Sequence, residues 1–303
     1  MKKIIITGSN GLLGQNLLNL LLEEKETYKV IGFSRGANRS GRDDFEYHNL
    51  DITDTKKLQT NLLKIQPDVV INTAAMTNVD ACETDKENCH LLNVDVVQQL
   101  TSLCSEIQTH LIHISTDFIF DGKNGPYTEE DTPSPLSYYG ETKLQSEEIL
   151  SKSTIDYTIL RTILVYGIVA EMSRSNIVLW VKEALEKGNP ITIVDDQYRM
   201  PTYVEDLALA CKLCIDKKAT GVFHISSNQL LSIYKIAQEI ADAFDLDKKL
   251  IQPISTTTLN QLAVRPVSTG FDLTKTNREL NLYPKSFTED LQRFKEKLTQ
   301  IQI

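Results

Sequence analysis

Residues 2–24 read KKIIITGSNGLLGQNLLNLLLEE, and this stretch decides the fold. The apolar run at its start predicts a buried β-strand, and the leucine-rich run at its end predicts a helix. Between them lie three glycines, Gly8, Gly11 and Gly14. Glycine permits a tight turn and a close approach of the backbone to a pyrophosphate, and the helix N-terminus adds about half a positive charge. The stretch therefore predicts a dinucleotide-binding turn that includes Asn10 and Leu12; a glycine-rich turn without a ligand is the alternative.

The same alternation of strand and helix continues through the first half of the chain. Amphipathic helical stretches separate short apolar runs such as YKVIGFS, DVVINTAA, THLIHIS and DYTILRT. Continuous apolar strands are typical of a parallel sheet covered on both faces. The sequence thus predicts an α/β fold with a Rossmann-type doubly wound parallel sheet.

Beyond about residue 166 this alternation weakens, and prolines interrupt the pattern at Pro190, Pro201, Pro253, Pro266 and Pro284. We predict a smaller, interleaved C-terminal α/β lobe that binds the substrate. The predicted dinucleotide-binding domain covers residues 1–165 plus about 196–226, and the substrate-binding lobe covers 166–195 and 227–303.

Composition and charge exclude several classes of function. The 303 residues include 41% apolar residues, and 41 acidic side chains outnumber 32 basic ones, for a net charge of −9. Binding of nucleic acid through its phosphates needs a basic face, so no nucleic-acid partner is expected. The sequence shows neither a signal peptide nor an apolar run near the roughly 20 residues that span a bilayer. We expect a soluble, cytoplasmic protein without a membrane partner.

The cysteines and histidines do not form a metal-binding pattern. Five cysteines lack the spacing of a disulfide framework. Cys211 and Cys214 form a CxxC, but they lie in a helical pattern that predicts packing in the core. His110 and His113 fall three apart in a predicted strand and so point to opposite faces. No metal is expected.

The end of the second strand bears on cofactor choice. An acidic residue often occurs there in NAD-binding domains, but this chain has Ser34 and Arg35, with Arg39 and Arg42 further on. A hydroxyl and a cation suit a 2′-phosphate, so NADP(H) is preferred and NAD(H) stays an alternative. An exposed loop arginine without a ligand is the other reading. Asp51 and Ile52 follow the next short run and are predicted to flank the adenine.

A tyrosine and a lysine follow the fifth predicted strand. In YYGETK, Lys143 lies four residues after Tyr139, which places both on one helix face, whereas Tyr138 lacks this spacing. A tyrosine with an ordinary pKa of about 10 is suited to protonate the oxygen that forms when a carbonyl accepts hydride. A nearby lysine cation, with the positive nicotinamide in a dry site, would lower that pKa. Tyr139 is the predicted acid, and Lys143 is predicted to lower its pKa and to hold the nicotinamide ribose of the cofactor.

Polar and small side chains end the neighbouring strands, where open α/β sheets bind ligands. Ser115 and Thr116 are placed to bond the carbonyl oxygen, unless they only cap a turn. Small residues after the fourth strand would let a cofactor lie against the sheet: Thr73, Ala74 and Ala75. Asn93 is an amide in a mostly apolar helix, where it would fix a water or the backbone near the site.

These motifs strongly resemble the extended short-chain dehydrogenase/reductases. ITGSNGLLG, NTAA, HISTD, YGETK and VYG occur in order, and DDQYRMPTYVEDLA with RPVSTGFDLTK is similar to the dTDP-4-dehydrorhamnose reductase family over nearly the whole chain. That family reduces a 4-keto group on a nucleotide-linked deoxysugar with NAD(P)H, in the last step of dTDP-L-rhamnose synthesis. The resemblance implies Thr116, Tyr139 and Lys143 as the catalytic set, with the three glycines at the pyrophosphate.

Two positions depart from the family pattern. Phe118 stands where the family usually has tyrosine, and Leu164 where it usually has tryptophan, so a different sugar is open. We expect Arg265 either to grip a diphosphate or to pair with Asp272. The acidic run at 129–131 is predicted to be a solvated loop. The full set of substrate-binding candidates is Thr77, Val79, Asp117, Phe118, Leu164, Arg199 and Arg265.

Two alternatives to a reductase stay open. An epimerase or dehydratase of the same superfamily would use carboxylate bases near the STD segment, where Asp117 and Asp121 lie. A non-catalytic NADP-binding regulatory subunit is the second, since one branch of the family serves methionine adenosyltransferase in that way. The expected partner is a nucleotide-sugar substrate, and a homodimer is left open.

Overall fold

The computed structural model describes residues 1–171, 175–259 and 261–301, and in this part of the chain fourteen strands and ten α-helices occur. The strands are β1 (Lys2–Thr7), β2 (Tyr28–Ser34), β3 (Glu46–Asn49), β4 (Val69–Asn72), β5 (His110–Thr116), β6 (Tyr157–Thr162), β7 (Val165–Tyr166), β8 (Ile191–Val194), β9 (Tyr198–Arg199), β10 (Thr202–Tyr203), β11 (Gly221–Ile225), β12 (Leu231–Ser232), β13 (Ile251–Ile254) and β14 (Ser268–Thr269). The helices are α1 (Leu12–Leu21), α2 (Thr55–Ile65), α3 (Val79–Thr84), α4 (Lys86–His90), α5 (Val96–Glu106), α6 (Tyr138–Ser151), α7 (Ile177–Glu186), α8 (Val204–Lys217), α9 (Ile233–Ala243) and α10 (Phe287–Ile301). None of these helices is both long and apolar enough to cross a membrane.

Seven parallel strands form the central sheet in the order β11-β6-β5-β4-β1-β2-β3. The predicted Rossmann-type sheet is therefore confirmed. Its central strands are apolar throughout because both faces are covered: Ile4, Ile5 and Ile6 are fully buried. The order places the carboxyl ends of β1, β4 and β5 side by side, so the loops that follow them share one edge of the sheet.

Helices cover the two faces with separate cores. Leucines of α1 pack with α8 on one face, where Cys211 and Cys214 are fully buried, as the helical pattern predicted. On the other face α2, α5 and α6 contribute apolar side chains such as Leu58, Leu100 and Leu150. The chain leaves this layered unit after β6 and returns to it at α8 and β11, which pack against α1 and pair with β6.

The remaining elements surround a third core, which we call the C-terminal lobe. Three small sheets, β7 with β10, β8 with β13, and β9 between β12 and β14, pack with α7, α9 and α10. This arrangement agrees with an interleaved lobe, while the domain boundaries given above stay a prediction.

One loop differs from the expected picture. The acidic run at 129–131 was predicted to be solvated, but the Glu129 carboxylate accepts a hydrogen bond from the backbone N–H of His224 at 3.0 Å. Burial raises the pKa of Glu129. Glu129 is therefore part of the packed structure, because its loop lies against β11.

Candidate active site

The glycine turn has the geometry that a pyrophosphate needs. Gly8 has a φ of +70°, and a Cβ there would lie 2.9 Å from the Thr73 hydroxyl. A Cβ on Gly14 would lie 2.4 Å from the carbonyl oxygen of Gly8, so only glycine lets α1 pack this closely. The helix begins at Leu12 without a side-chain cap on Gly11 and without an acidic residue in its first turn. Its first N–H groups are thus suited to bind an anion.

Asn10 supports the loop after β2. Its side-chain amide donates to the carbonyl of Ala37 at 2.8 Å and accepts from the backbone N–H of Arg39 at 2.9 Å. The side chain is 2% exposed. The predicted cofactor residue Asn10 therefore uses its side chain to fix the neighbouring loop, and its contact with a cofactor stays a prediction.

The predicted ribose-phosphate site lies at the end of β2. Arg35 follows Ser34 with 79% of its side chain exposed and has a guanidinium nitrogen 3.9 Å from an Asp51 oxygen. Arg42 instead pairs with Asp44 through two bonds of 2.9 and 2.5 Å. The guanidinium of Arg35 is therefore a cation available to a ligand at the end of β2. Its loose pair with Asp51 is the only ion pair found for Arg35 in the described residues.

Asp51 and Ile52 have different environments. The Asp51 carboxylate accepts from the backbone and the hydroxyl of Thr53 at 3.0 and 2.8 Å, and it stays partly exposed. Ile52 is 6% exposed and packs in the core beneath α2. Asp51 can therefore face a ligand with its free edge, whereas most of the Ile52 side chain serves the core.

The loop after β4 forms a wall beside the glycine turn. The Thr73 hydroxyl donates to the carbonyl of Thr7 at 2.7 Å, and Ala74 and Ala75 are partly exposed next to it. Asn93 accepts from the backbone N–H of Met76 at 2.8 Å and donates to its carbonyl at 3.1 Å. Asn93 thus fixes backbone near the site, one of the two roles that its buried amide suggested.

Three residues with hydroxyl groups lie at or near the carboxyl end of β5. Ser115 is 3% exposed, and its hydroxyl has no hydrogen-bond partner in the described residues. Tyr139 is 8% exposed, and its hydroxyl lies beside that of Thr116, which donates to the Asp117 carboxylate at 3.1 Å. The Thr116 hydroxyl, beside the Tyr139 phenol, can bond the oxygen of a bound carbonyl compound, whereas Ser115 precedes it in the strand and points to the other face. Whether Ser115 also contacts that oxygen stays a prediction.

The start of α6 aims Tyr139 into this spot. Ser137 caps the helix by accepting from the backbone N–H of Gly140 at 3.2 Å, which fixes where the first turn begins. The Phe118 ring meets the Tyr139 ring edge-on with centroids 5.8 Å apart. Tyr138 lies on the outer side, with the Lys86 ammonium 4.8 Å from its ring centroid. Of the two adjacent tyrosines, Tyr139 is the one in the site.

Lys143 lies one helical turn further and is 1% exposed. Its Nζ is 2.9 Å from Nε2 of His113 on β5. Burial lowers the pKa of Lys143 to about 8. Burial also raises the pKa of Tyr139, and the bond to Thr116 opposes this only in part. Desolvation is the main cause, and the charge of Asp117 adds to it, so the protein groups do not by themselves lower the phenol pKa. A lowering by Lys143 together with a bound nicotinamide stays a prediction.

Asp117 and Arg199 form a buried ion pair at 3.6 Å, and the Thr269 hydroxyl also donates to Asp117. Arg199 donates to the carbonyls of Tyr198 and Pro266 at 2.7 and 2.8 Å. Desolvation raises the pKa of Asp117 and lowers that of Arg199. These two predicted substrate residues join β5 to the C-terminal lobe, and their charged groups are largely used in doing so.

Arg265 forms an ion pair, but not with Asp272. Its guanidinium donates to both carboxylate oxygens of Asp80 on α3, at 3.2 and 2.7 Å. Asp272 accepts from the backbone N–H of Thr274 instead. The predicted partner was wrong, because α3 lies across the cleft from this loop. Whether Arg265 also binds a diphosphate stays a prediction.

The other substrate candidates lie around the same cleft. Thr77 is exposed, and Val79 is half-buried against Tyr139 and its neighbours. Leu164 has a φ of +41°, which is rare for a residue with a side chain and is a form of strain often found at binding sites. It packs between the C-terminal lobe and the cluster around Phe120.

Several residues near the site had no clear sequence signal. Asn72, His113 and Ser146 form a buried polar set behind Lys143. Cys82 and Cys89 are fully buried and pack against Tyr139. Each of these five residues belongs to an ordinary strand or helix pattern in the sequence. The polar residues reach the site because β5 packs against α6, and the cysteines reach it because α3 and α4 pack against Tyr139.

A parallel Rossmann-type sheet, a glycine turn, strand-end hydroxyls and a Tyr–Lys pair on one helix together define an extended short-chain dehydrogenase/reductase. The chain belongs to the RmlD substrate binding domain family, whose model matches residues 1–300. The predicted family and the predicted class, an NAD(P)H-dependent oxidoreductase, are thereby confirmed.

Individual relatives differ in what they do. The chain is 32% identical to methionine adenosyltransferase 2 subunit beta of Rattus norvegicus over 279 residues, which cover 90% of this chain and 81% of that protein. It is 31% identical to the probable low-salt glycan biosynthesis reductase Agl14 of Haloferax volcanii, over 94% and 95% of the two chains. A structure of dTDP-4-dehydrorhamnose reductase from Bacillus anthracis in complex with NADP superposes with a TM-score of 0.86 at 28% identity, covering 98% and 99%.

Proposed function

We propose that this protein is an NADPH-dependent reductase of a nucleotide-linked 4-keto-deoxysugar, with dTDP-4-dehydrorhamnose as the first substrate to test. One observation carries the proposal: the Thr116 hydroxyl at the end of β5 lies beside the buried phenol of Tyr139, and the buried Lys143 follows one helical turn later. A carbonyl oxygen bound there would lie beside both the Thr116 hydroxyl and a phenol proton. The Bacillus anthracis reductase supports the choice of NADP.

Each residue has a defined task in this proposal. NADPH, when bound, supplies the hydride. Thr116 holds and orients the carbonyl oxygen, and Tyr139 donates its proton to that oxygen. The Lys143 ammonium, in a site that excludes water, stabilises the phenolate that remains. The Gly8–Gly14 turn and the first turn of α1 receive the pyrophosphate, and Arg35 receives the 2′-phosphate.

The sugar side of the cleft would be more apolar than the family pattern suggests. Phe118 has no hydroxyl to offer, and its ring instead contacts Tyr139 and lies 5.8 Å from the Arg199 guanidinium. Leu164 places an aliphatic side chain where a larger aromatic ring is usual. We expect these two positions to favour a substrate with fewer hydroxyl groups near the reacting carbon.

Consumption of NADPH against a panel of nucleotide-linked 4-keto-sugars tests the proposal. The expected result is one NADP⁺ released for each alcohol formed, with at least one dTDP-linked keto-sugar accepted. Product identity is measured by NMR, because an epimerase would change the sugar without net cofactor oxidation. An absence of turnover on every member of the panel, in protein that binds NADPH, would overturn the proposal.

An epimerase is less well supported because its carboxylates are engaged. Asp117 is buried with Arg199 and Thr269, and Asp121 accepts from the Tyr127 hydroxyl at 3.0 Å and from the backbone of Lys123. Neither carboxylate is free to act as a base.

A regulatory subunit is the second candidate, favoured by the Rattus norvegicus relative. The predicted outcome in that case is a stable complex with a methionine adenosyltransferase catalytic subunit and no turnover of any keto-sugar. Size-exclusion chromatography of the mixed proteins, beside the NADPH assay, distinguishes the two candidates.

A further inference from the structure

The set of buried polar groups behind Lys143 has a definite pattern. Lys143 Nζ lies 2.9 Å from His113 Nε2, and the Ser146 hydroxyl, which donates to the Lys143 carbonyl at 2.6 Å, lies 3.0 Å from the same ring nitrogen. On the other side of the ring, the Asn72 amide nitrogen is 3.2 Å from Nδ1, and the Asn72 amide oxygen accepts from the Thr7 hydroxyl at 2.6 Å. None of these five side chains is more than 1% exposed.

The hydrogen bonds determine the state of the imidazole. An ammonium group can only donate, so His113 Nε2 must accept from Lys143 whenever the lysine is charged. The ring proton then lies on Nδ1 and needs an acceptor, which the Asn72 amide oxygen supplies after a half-turn of the amide group. A neutral lysine reverses the pattern: Nε2 carries the proton and donates it, and the amide nitrogen faces Nδ1, which is the amide orientation in the structure.

The surrounding charges keep the imidazole neutral. Burial and the Lys143 cation both lower the pKa of His113 well below its ordinary value. Glu147 on α6 favours the charged lysine, but its carboxylate is held by Arg161 through bonds of 3.1 and 2.8 Å. Cys89 on α4 also favours the charged lysine. The acceptor that directly contacts the ammonium is therefore an uncharged ring.

We propose that His113 is a positioning residue for Lys143: its neutral ring accepts a hydrogen bond from the ammonium and directs the amine toward Tyr139 and the cofactor site. The role rests on the proposed reductase function. It predicts that His113 stabilises the charged form of a lysine that would otherwise lose its proton in a dry site.

Two substitutions separate positioning from packing. His113→Gln keeps an amide oxygen near the position of Nε2, whereas His113→Leu keeps only bulk. A hydrogen bond to a charged group is strong enough that its loss should lower the Lys143 pKa by about one unit or more. The alkaline limb of the pH profile of kcat/KM should move down by the same amount in His113→Leu and stay close to wild type in His113→Gln.

A measurement that needs neither turnover nor ligand completes the test. With ¹⁵N-labelled lysine and histidine, NMR titration follows Lys143 directly, and loss of its signal in Lys143→Met makes the assignment. Below the lysine pKa we expect wild-type His113 as the neutral Nδ1–H tautomer. An imidazolium, an Nε2–H tautomer, or an unchanged Lys143 pKa in His113→Leu would overturn the proposal. If wild type reduces no keto-sugar, the proposed function fails, while the NMR titration still decides the role of His113.

Discussion

Lys143→Met should make the protein more stable while removing its activity. Burial lowers the pKa of Lys143 from 10.5 to about 8, and the side chain is 1% exposed. A difference of about 2.5 units corresponds to roughly 3 kcal/mol, which is the free energy that the folded state loses by keeping a charged lysine there. Methionine has a similar length and carries no charge, so at about pH 7 the variant should be more stable by up to that amount.

The sign of the pH dependence makes this prediction specific. Because the folded pKa is the lower one, the unfolded chain binds more protons between about pH 8 and 10.5, so wild-type stability gains over that interval. The advantage of Lys143→Met should therefore shrink as the pH rises through it. Urea unfolding of both proteins at several pH values measures the difference. A variant that is less stable near pH 7, or an advantage that does not change with pH, would refute the reasoning.

Two further predictions follow from the structure. Burial raises the pKa of Asp290 from 3.8 to about 6, so the stability of wild type should fall as the pH rises through about 6. Asp290→Asn should remove about 3 kcal/mol of that fall, as measured by urea unfolding. Equal pH profiles for the two proteins would contradict this. Arg35→Ala should raise KM for NADPH by about tenfold or more and leave KM for NADH nearly unchanged. Arg42→Ala removes an arginine that is already paired with Asp44 and should change neither KM. An equal effect of both substitutions on KM for NADPH would contradict the assignment.

The parts of the fold that depend on local pattern were predictable from the sequence. The run from β1 through the glycine turn into α1 combines an apolar strand, turn residues and a periodic helix within about two dozen residues, so each signal supports the next. The spacing of Tyr139 and Lys143 likewise selects the tyrosine that the structure buries beside Thr116.

Contacts between distant segments were not predictable in this way. Arg265 pairs with Asp80, 185 residues away, because α3 and the loop before β14 meet across the cleft. A nearby aspartate in the sequence offered a plausible partner that the geometry does not use. The pKa of Lys143 was equally hidden, because it depends on how completely β5 and α6 exclude water around His113.

Single-turnover reduction tests the central claim most directly, with Tyr139→Phe compared against its neighbour Tyr138→Phe. Each variant is saturated with NADPH and mixed rapidly with the best keto-sugar of the panel, and the loss of NADPH absorbance is followed. The account predicts that Tyr139→Phe slows the step by about 100-fold or more with NADPH affinity nearly kept, while Tyr138→Phe stays close to wild type. Equal rates in the two variants would contradict it.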